Sequence, residues 1–172
     1  MAYRLIGFAL IHNSLQVPET ISRQRDHPLF IELGWTEAVY VLIVVARLEP
    51  VKGHPYLIEA VSQLAPQFPH LRCLIVGDGR TRSDLEAQAA DLKNHIHFAG
   101  FRDDIAALLA GSDAFCLPSL SEGLPYALLE AGATRLPILA RRVGGMAELL
   151  THHENAYLIP PMDSIALAEG LY

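Results

Sequence analysis

An α/β architecture, a parallel sheet with helices on both faces, follows from three features of the 172-residue chain. Strand-like and helix-like patterns alternate about six times from residue 38 onward, with short connections between them. The first strand pattern, Tyr40–Ala46, is a continuous β-branched apolar run, as expected of a strand buried on both faces. Apolar residues make up 51% of the chain and charged residues 19%, a balance that fills a core and argues against disorder.

Residues 1–37 read as a lead-in. Leu5–Ile11 has the pattern of a strand, and Pro18, Pro28 and the polar run from Glu19 to His27 predict an irregular segment after it. Residues 38–172 form the domain proper. Tyr40–Ala46 is its first strand, followed by Gly53-His54-Pro55 and a helix with Leu57, Val61 and Leu64 on one face and Ile58 and Ala65 beside it. Leu71–Val76 is a second strand, ended by Gly77-Asp78-Gly79, and residues 81–93 suit a helix. Ile96–Ala99 is a short strand, after which Asp103-Asp104 opens a helix reaching Ala110, with capping as the role of the acids. Strands at Ala114–Leu117, Pro137–Ala140 and Tyr157–Ile159 alternate with helices at 125–133 and 145–150. Asp163 is placed as the N-cap of a last helix. Little chain follows it, so half of a larger unit is expected.

Charge and cysteine content narrow the function. Thirteen Lys+Arg against 19 Asp+Glu leave a net charge of −6, with no dense basic tract, which argues against nucleic-acid binding. Cys73 and Cys116 sit in apolar runs and read as buried free thiols of a cytoplasmic protein. The apolar run at residues 5–11 is too short to span a bilayer and lacks a cleavage site, so no transmembrane segment or signal peptide is expected.

Ligands of open parallel sheets bind beyond the carboxyl ends of the strands. Two post-strand loops there carry chemistry. Arg47 and Lys52, five residues apart and followed by Gly53, could clamp a diphosphate; two solvated surface charges are the competing reading. The run Pro118-Ser119-Leu120-Ser121-Glu122-Gly123-Leu124-Pro125 leads into a helix with Pro125 at its first position, which aims the amides of Gly123 and Leu124 outward toward an oxygen-rich ligand. Glu122 and Glu130 flank that helix start, and a carboxylate accepts two hydroxyls of a sugar or ribose diol at once. A capping role for Glu122 and a solvent-facing one for Glu130 are the alternatives. Gly77-Asp78-Gly79 is not a Gly-x-Gly-x-x-Gly nicotinamide fingerprint, and His95-x-His97 lacks a third metal ligand. Val143-Gly144-Gly145 reads either as backbone geometry or as a lining of the same cleft.

The order and spacing of several segments together resemble the C-terminal donor-binding domain of a GT-B-fold glycosyltransferase, in the retaining family GT4, or glycosyl transferases group 1. The segments are Ala46-Arg47-Leu48…Lys52-Gly53, Ile75-Val76-Gly77-Asp78-Gly79, Phe98-Ala99-Gly100-Phe101, Leu117-Pro118-Ser119, Ser121-Glu122-Gly123-Leu124-Pro125…Leu129-Glu130-Ala131, Leu136-Pro137-Ile138, Val143-Gly144-Gly145…Glu148 and Pro160-Pro161-x-Asp163. Ile11-His12-Asn13-Ser14 resembles the entry into that domain. The resemblance implies a Rossmann-like sheet that is one half of a GT-B fold, with the N-terminal acceptor domain absent.

It also implies a hexosyl transfer from a UDP-, GDP- or ADP-linked sugar with retention, needing no metal or other cofactor. Arg47 and Lys52 would neutralise the diphosphate and stabilise the leaving group. Glu122 would hold donor sugar hydroxyls and Glu130 the ribose diol. Backbone at Gly123 and Leu124 would face sugar and phosphate, and backbone at Arg102 the base. A cytoplasmic enzyme is implied, with any membrane attachment carried by the missing half and little or no activity in this chain alone. A non-catalytic nucleotide-sugar-binding or interaction module is the alternative function. An epimerase of GT-B fold or a dinucleotide oxidoreductase fits the Glu122/Glu130 pair less well. The sequence departs from the family pattern at Ala46, Arg80, Gly132 and Arg135; if Arg135 takes a glycine's positive φ, it costs on the order of 1 kcal/mol.

Overall fold

The computed structural model describes residues 25–160 and 162–171. The strand read at residues 5–11 and the entry segment at 11–14 lie outside them. Six strands form one parallel sheet in the order β3-β2-β1-β4-β5-β6. They are β1 (Tyr40–Val45), β2 (Leu71–Val76), β3 (Ile96–Gly100), β4 (Ala114–Leu117), β5 (Ile138–Arg141) and β6 (Tyr157–Ile159). The helices are α1 (Pro28–Glu32), α2 (His54–Leu64), α3 (Arg82–Gln88), α4 (Ile105–Ala110), α5 (Tyr126–Ala133), α6 (Met146–Leu149) and α7 (Ser164–Leu171).

Successive side chains of a strand point to opposite faces, so each central strand feeds two cores. From β1, Leu42 and Val44 join Leu57 and Val61 of α2, Leu85 of α3 and Leu167 of α7 on one face. Val41 and Ile43 join Leu108 of α4, Leu128 of α5 and Met146 of α6 on the other. The strands read as apolar runs for this reason.

Boundaries differ from the sequence reading where a local device takes over. The helix expected over 81–93 breaks after Gln88, and a 3-10 turn, Ala90–Leu92, completes it. Pro125 is the N-cap of α5, with extended backbone, rather than its first helical residue. Asp104 stands at the N-cap of α4 but makes no capping bond. Asp163 does cap α7: its Oδ1 accepts from the Ala166 amide at 2.9 Å.

The irregular lead-in expected up to residue 37 holds ordered structure from residue 25. Pro28 starts α1 instead of breaking the chain, since a proline at the first turn forfeits no helical bond. His27 Nδ1 accepts the Leu29 amide there at 3.1 Å. Phe30 is fully buried and stacks on Trp35 at 6.3 Å between ring centroids. Arg25 donates to the carbonyls of Gly111, Thr36 and Val39 and pairs with Asp113, which also accepts the Val41 amide. This stretch therefore tethers itself to the starts of β1 and β4.

Candidate functional site

Strand order reverses beside β1: the chain moves outward from β1 to β2 and β3, then returns to β4 on the other side. The connections leaving β1 and β4 run to opposite sides from there, and the carboxyl ends of these two strands are where open parallel sheets hold their ligands. Arg47 and Lys52 lie on the first loop, Ser119 to Leu124 on the second.

The two loops are locked together by backbone contact. Gly53 takes φ 70°, and a Cβ there would stand 2.1 Å from the Pro118 carbonyl oxygen, so only glycine admits this approach. Lys52 Nζ consequently reaches Glu122 Oε1 at 2.6 Å. Ser119 Oγ donates to the same oxygen at 2.6 Å. Glu122 thus pairs with the loop leaving β1 rather than capping α5. Its carboxylate and the Lys52 ammonium are largely buried, with 7% and 15% of the side chains exposed, so the pair is poorly screened by salt.

A third loop, between β5 and α6, closes the floor. Gly144 has φ 53°, and a Cβ on it would lie 1.7 Å from the Glu122 carbonyl oxygen. The glycine pair thereby combines both readings offered for it, being required by geometry and lining the same cleft. A hollow of about 230 Å³ lies between Gly123, Leu124, Gly145, Glu148 and Leu149.

The remaining candidates are spread around this centre. Arg47 is exposed at the end of β1, with no side-chain partner among the described residues. Glu130 lies in the second turn of α5, half-buried on the stripe shared with Ala127 and Thr134, and its carboxylate has no partner among the described residues. Arg102 follows β3, two strands from β1 and so about 10 Å to the side. There Asp104 accepts from Arg102 and from His27, and these bonds hold its carboxyl far below the usual carboxylate range. Asp104 thus fixes the Arg102 loop instead of capping the helix.

His95 and His97 have structural roles. His95 Nδ1 lies 2.9 Å from the Leu71 carbonyl, and His97 packs edge-on to Trp35. Among the described residues no group of three His, Cys, Asp or Glu could hold a metal ion, and no helix is long and apolar enough to cross a membrane. Both cysteines are buried free thiols, and burial pushes Cys73 up to about 12.

Three buried groups went unnoticed in the sequence. Ser119 stood within a quoted motif, but its bond to Glu122 depends on the loop's fold. His54 and Arg141 are both fully buried, and none of their side-chain nitrogens has a hydrogen-bond partner among the described residues. Periodicity signals His54, which stands three and four residues before Leu57 and Ile58. Arg141, followed by Arg142, carries no such mark.

Comparison with known proteins identifies the family of the chain. The model of the family described as "Glycosyl transferases group 1" matches residues 28–172. A relative from Escherichia coli, UDP-Gal:alpha-D-GlcNAc-diphosphoundecaprenol alpha-1,3-galactosyltransferase, is 36% identical over 132 residues, which is 74% of this chain and 34% of that protein. The GDP-mannose-dependent monoacylated alpha-(1-6)-phosphatidylinositol monomannoside mannosyltransferase of Corynebacterium glutamicum is 35% identical over 70% of this chain and 34% of its own length. Among solved structures, Anabaena HepE in complex with UDP-glucose superposes with a TM-score of 0.75 at 32% identity, covering 82% of this chain and 40% of that one. The chain thus spans about a third of the curated relatives named here.

Proposed function

Since the chain belongs to the glycosyl transferases group 1 family, we propose that it binds a nucleotide-diphosphate sugar at the carboxyl ends of β1 and β4 and contributes to hexosyl transfer with retention. The observation that carries this reading is the Lys52–Glu122 pair, 2.6 Å apart at the point where strand order reverses. Each partner keeps capacity for a ligand. An ammonium has three donors, of which Glu122 takes one, and Glu122 Oε2 remains for sugar hydroxyls.

In this reading Arg47 and Lys52 neutralise the diphosphate, and Lys52 stabilises the charge that grows on the leaving phosphate as the glycosidic bond breaks. These cations and the amides of Gly123 and Leu124 stand in for a metal. Glu130, unpaired and half-buried, takes the ribose diol, and backbone at Arg102 meets the base. The names of the two relatives carry UDP- and GDP-linked donors, so UDP and GDP are the first nucleotides to compare, with ADP beside them.

The acceptor is proposed to bind to a second, N-terminal domain outside these 172 residues, which would carry any membrane attachment of a cytoplasmic enzyme. Two facts support this. The hollow at the donor loops, about 230 Å³, falls below the roughly 300 Å³ at which ligand pockets begin. The chain covers 34% of the E. coli relative. Transfer by the isolated chain should accordingly be very weak or absent.

Calorimetric titration of the folded chain with UDP, GDP and ADP tests the site. One nucleotide should bind, and Lys52→Ala and Glu130→Ala should each weaken it by on the order of tenfold. Affinity unchanged in both variants, or no binding by the folded chain, would sink the assignment.

A further inference from the structure

Arg141 closes β5 and is completely buried, yet among the described residues Nε and both terminal nitrogens lack hydrogen-bond partners. Such a group is rare in a folded protein, because a desolvated charge without a counter-charge is among the least favourable things a core can hold. Its guanidinium carbon lies 4.6 Å from the ring centroid of Tyr56, in the first turn of α2. That contact offsets only part of the lost hydration.

Where the charge sits is informative. One terminal nitrogen lies 3.6 Å from the point a Cβ on Gly53 would occupy, and the same point abuts the Pro118 carbonyl. The guanidinium therefore lies directly behind the junction of the two loops that bear Lys52 and Glu122. Among the described residues no acid forms an ion pair with it: Glu122 is engaged by Lys52 and Ser119, and Asp163, near enough to favour the cation, bonds the Ala166 amide instead. Cys116, close enough to favour the cation, is a thiol that burial keeps neutral.

We infer that Arg141 is a positioning charge of this site, a buried cation whose missing counter-charge is a diphosphate bound on the outer side of the Lys52–Gly53 turn. This rests on the donor-site reading above. Arg141 touches no ligand. It acts through the Gly53 turn and across a low-dielectric layer, where its field escapes the salt screening that weakens exposed Arg47.

The test uses the 172-residue chain and its Arg141→Met, Arg141→Lys and Arg47→Met variants, titrated with inorganic pyrophosphate and with UDP at about 0.05 M and about 0.5 M salt. Arg141→Met should weaken pyrophosphate on the order of tenfold at both salt concentrations, whereas the loss in Arg47→Met should shrink at the higher one. Arg141→Lys should keep the affinity within about threefold, since it keeps the charge. Without ligand, Arg141→Met should melt above the native chain, a result that a packing role would not produce. Unchanged pyrophosphate affinity in Arg141→Met, a loss that vanishes at high salt, an equal loss in Arg141→Lys, or a lower melting temperature of ligand-free Arg141→Met would each overturn the inference. So would a native chain that binds neither probe. Pyrophosphate binding that depends on Arg141, with UDP, GDP and ADP all rejected, would leave the inference standing and remove the nucleotide-sugar reading instead.

Discussion

His54 shows how one residue couples the site to pH. Burial, with the nearby Lys52 charge second, lowers its pKa from the ordinary 6.5 to about 4. The unfolded chain therefore takes up the proton first as pH falls. Stability should be undiminished by this group above pH 6.5 and should drop between about 6.5 and about 4, by roughly 3 kcal/mol in all. Denaturant melts at a series of pH values will measure the slope. His54→Leu should flatten it in that window, and an equal slope in this variant would assign the acid sensitivity to other groups. The place of His54 on the apolar stripe of its helix was legible in the sequence. Its lack of any partner was not, because that depends on what the sheet and Lys52 bring beside it.

At the scale of the element, α5 carries a local conflict. Its end is a Schellman turn: the Leu136 amide bonds the Ala131 carbonyl at 3.2 Å, and the Arg135 amide bonds Gly132 at 3.0 Å. That turn puts Arg135 at φ 55°, the conformation glycine occupies without strain. The expectation drawn from sequence, that Arg135 stands in a glycine's place, holds. Arg135→Gly should stabilise the chain by about 1 kcal/mol and raise its melting temperature by about 2–4 °C, as read by calorimetry. No gain would mean that the αL backbone is unstrained by arginine here. The start of the same helix was less legible. Pro125 suits either the N-cap or the first turn, and the choice went to the N-cap because loop 118–124 must leave β4 with Glu122 turned toward Lys52.

Across the whole molecule, the stretch from residue 25 to 37 behaves as part of the core. Phe30 fills a space between Trp35, β1 and β4, and Arg25 ties Gly111, Asp113 and the approach to β1 together. Phe30→Ala should cost about 3–5 kcal/mol, and a chain beginning at residue 38 should lose cooperative unfolding, as followed by circular dichroism and thermal melts. A cooperative melt of the shortened chain at the native temperature would show that this stretch is dispensable. Prolines and polar residues hid its order, since a five-residue helix held by one buried aromatic ring leaves almost no periodic trace.

Strand runs, helix stripes, glycine turns and the two charged loops could be read from neighbouring residues, because backbone propensity and burial pattern act over a few positions. The family resemblance drew on the same local spacing. Strand order came from packing between distant segments. The contact of Lys52 with Glu122 joins residues 70 positions apart, and the burial of Arg141 behind Gly53 joins β5 to the start of α2. Local sequence leaves such juxtapositions open, for they exist only once hydrophobic faces from the whole chain have closed on one sheet and brought its loops to one edge.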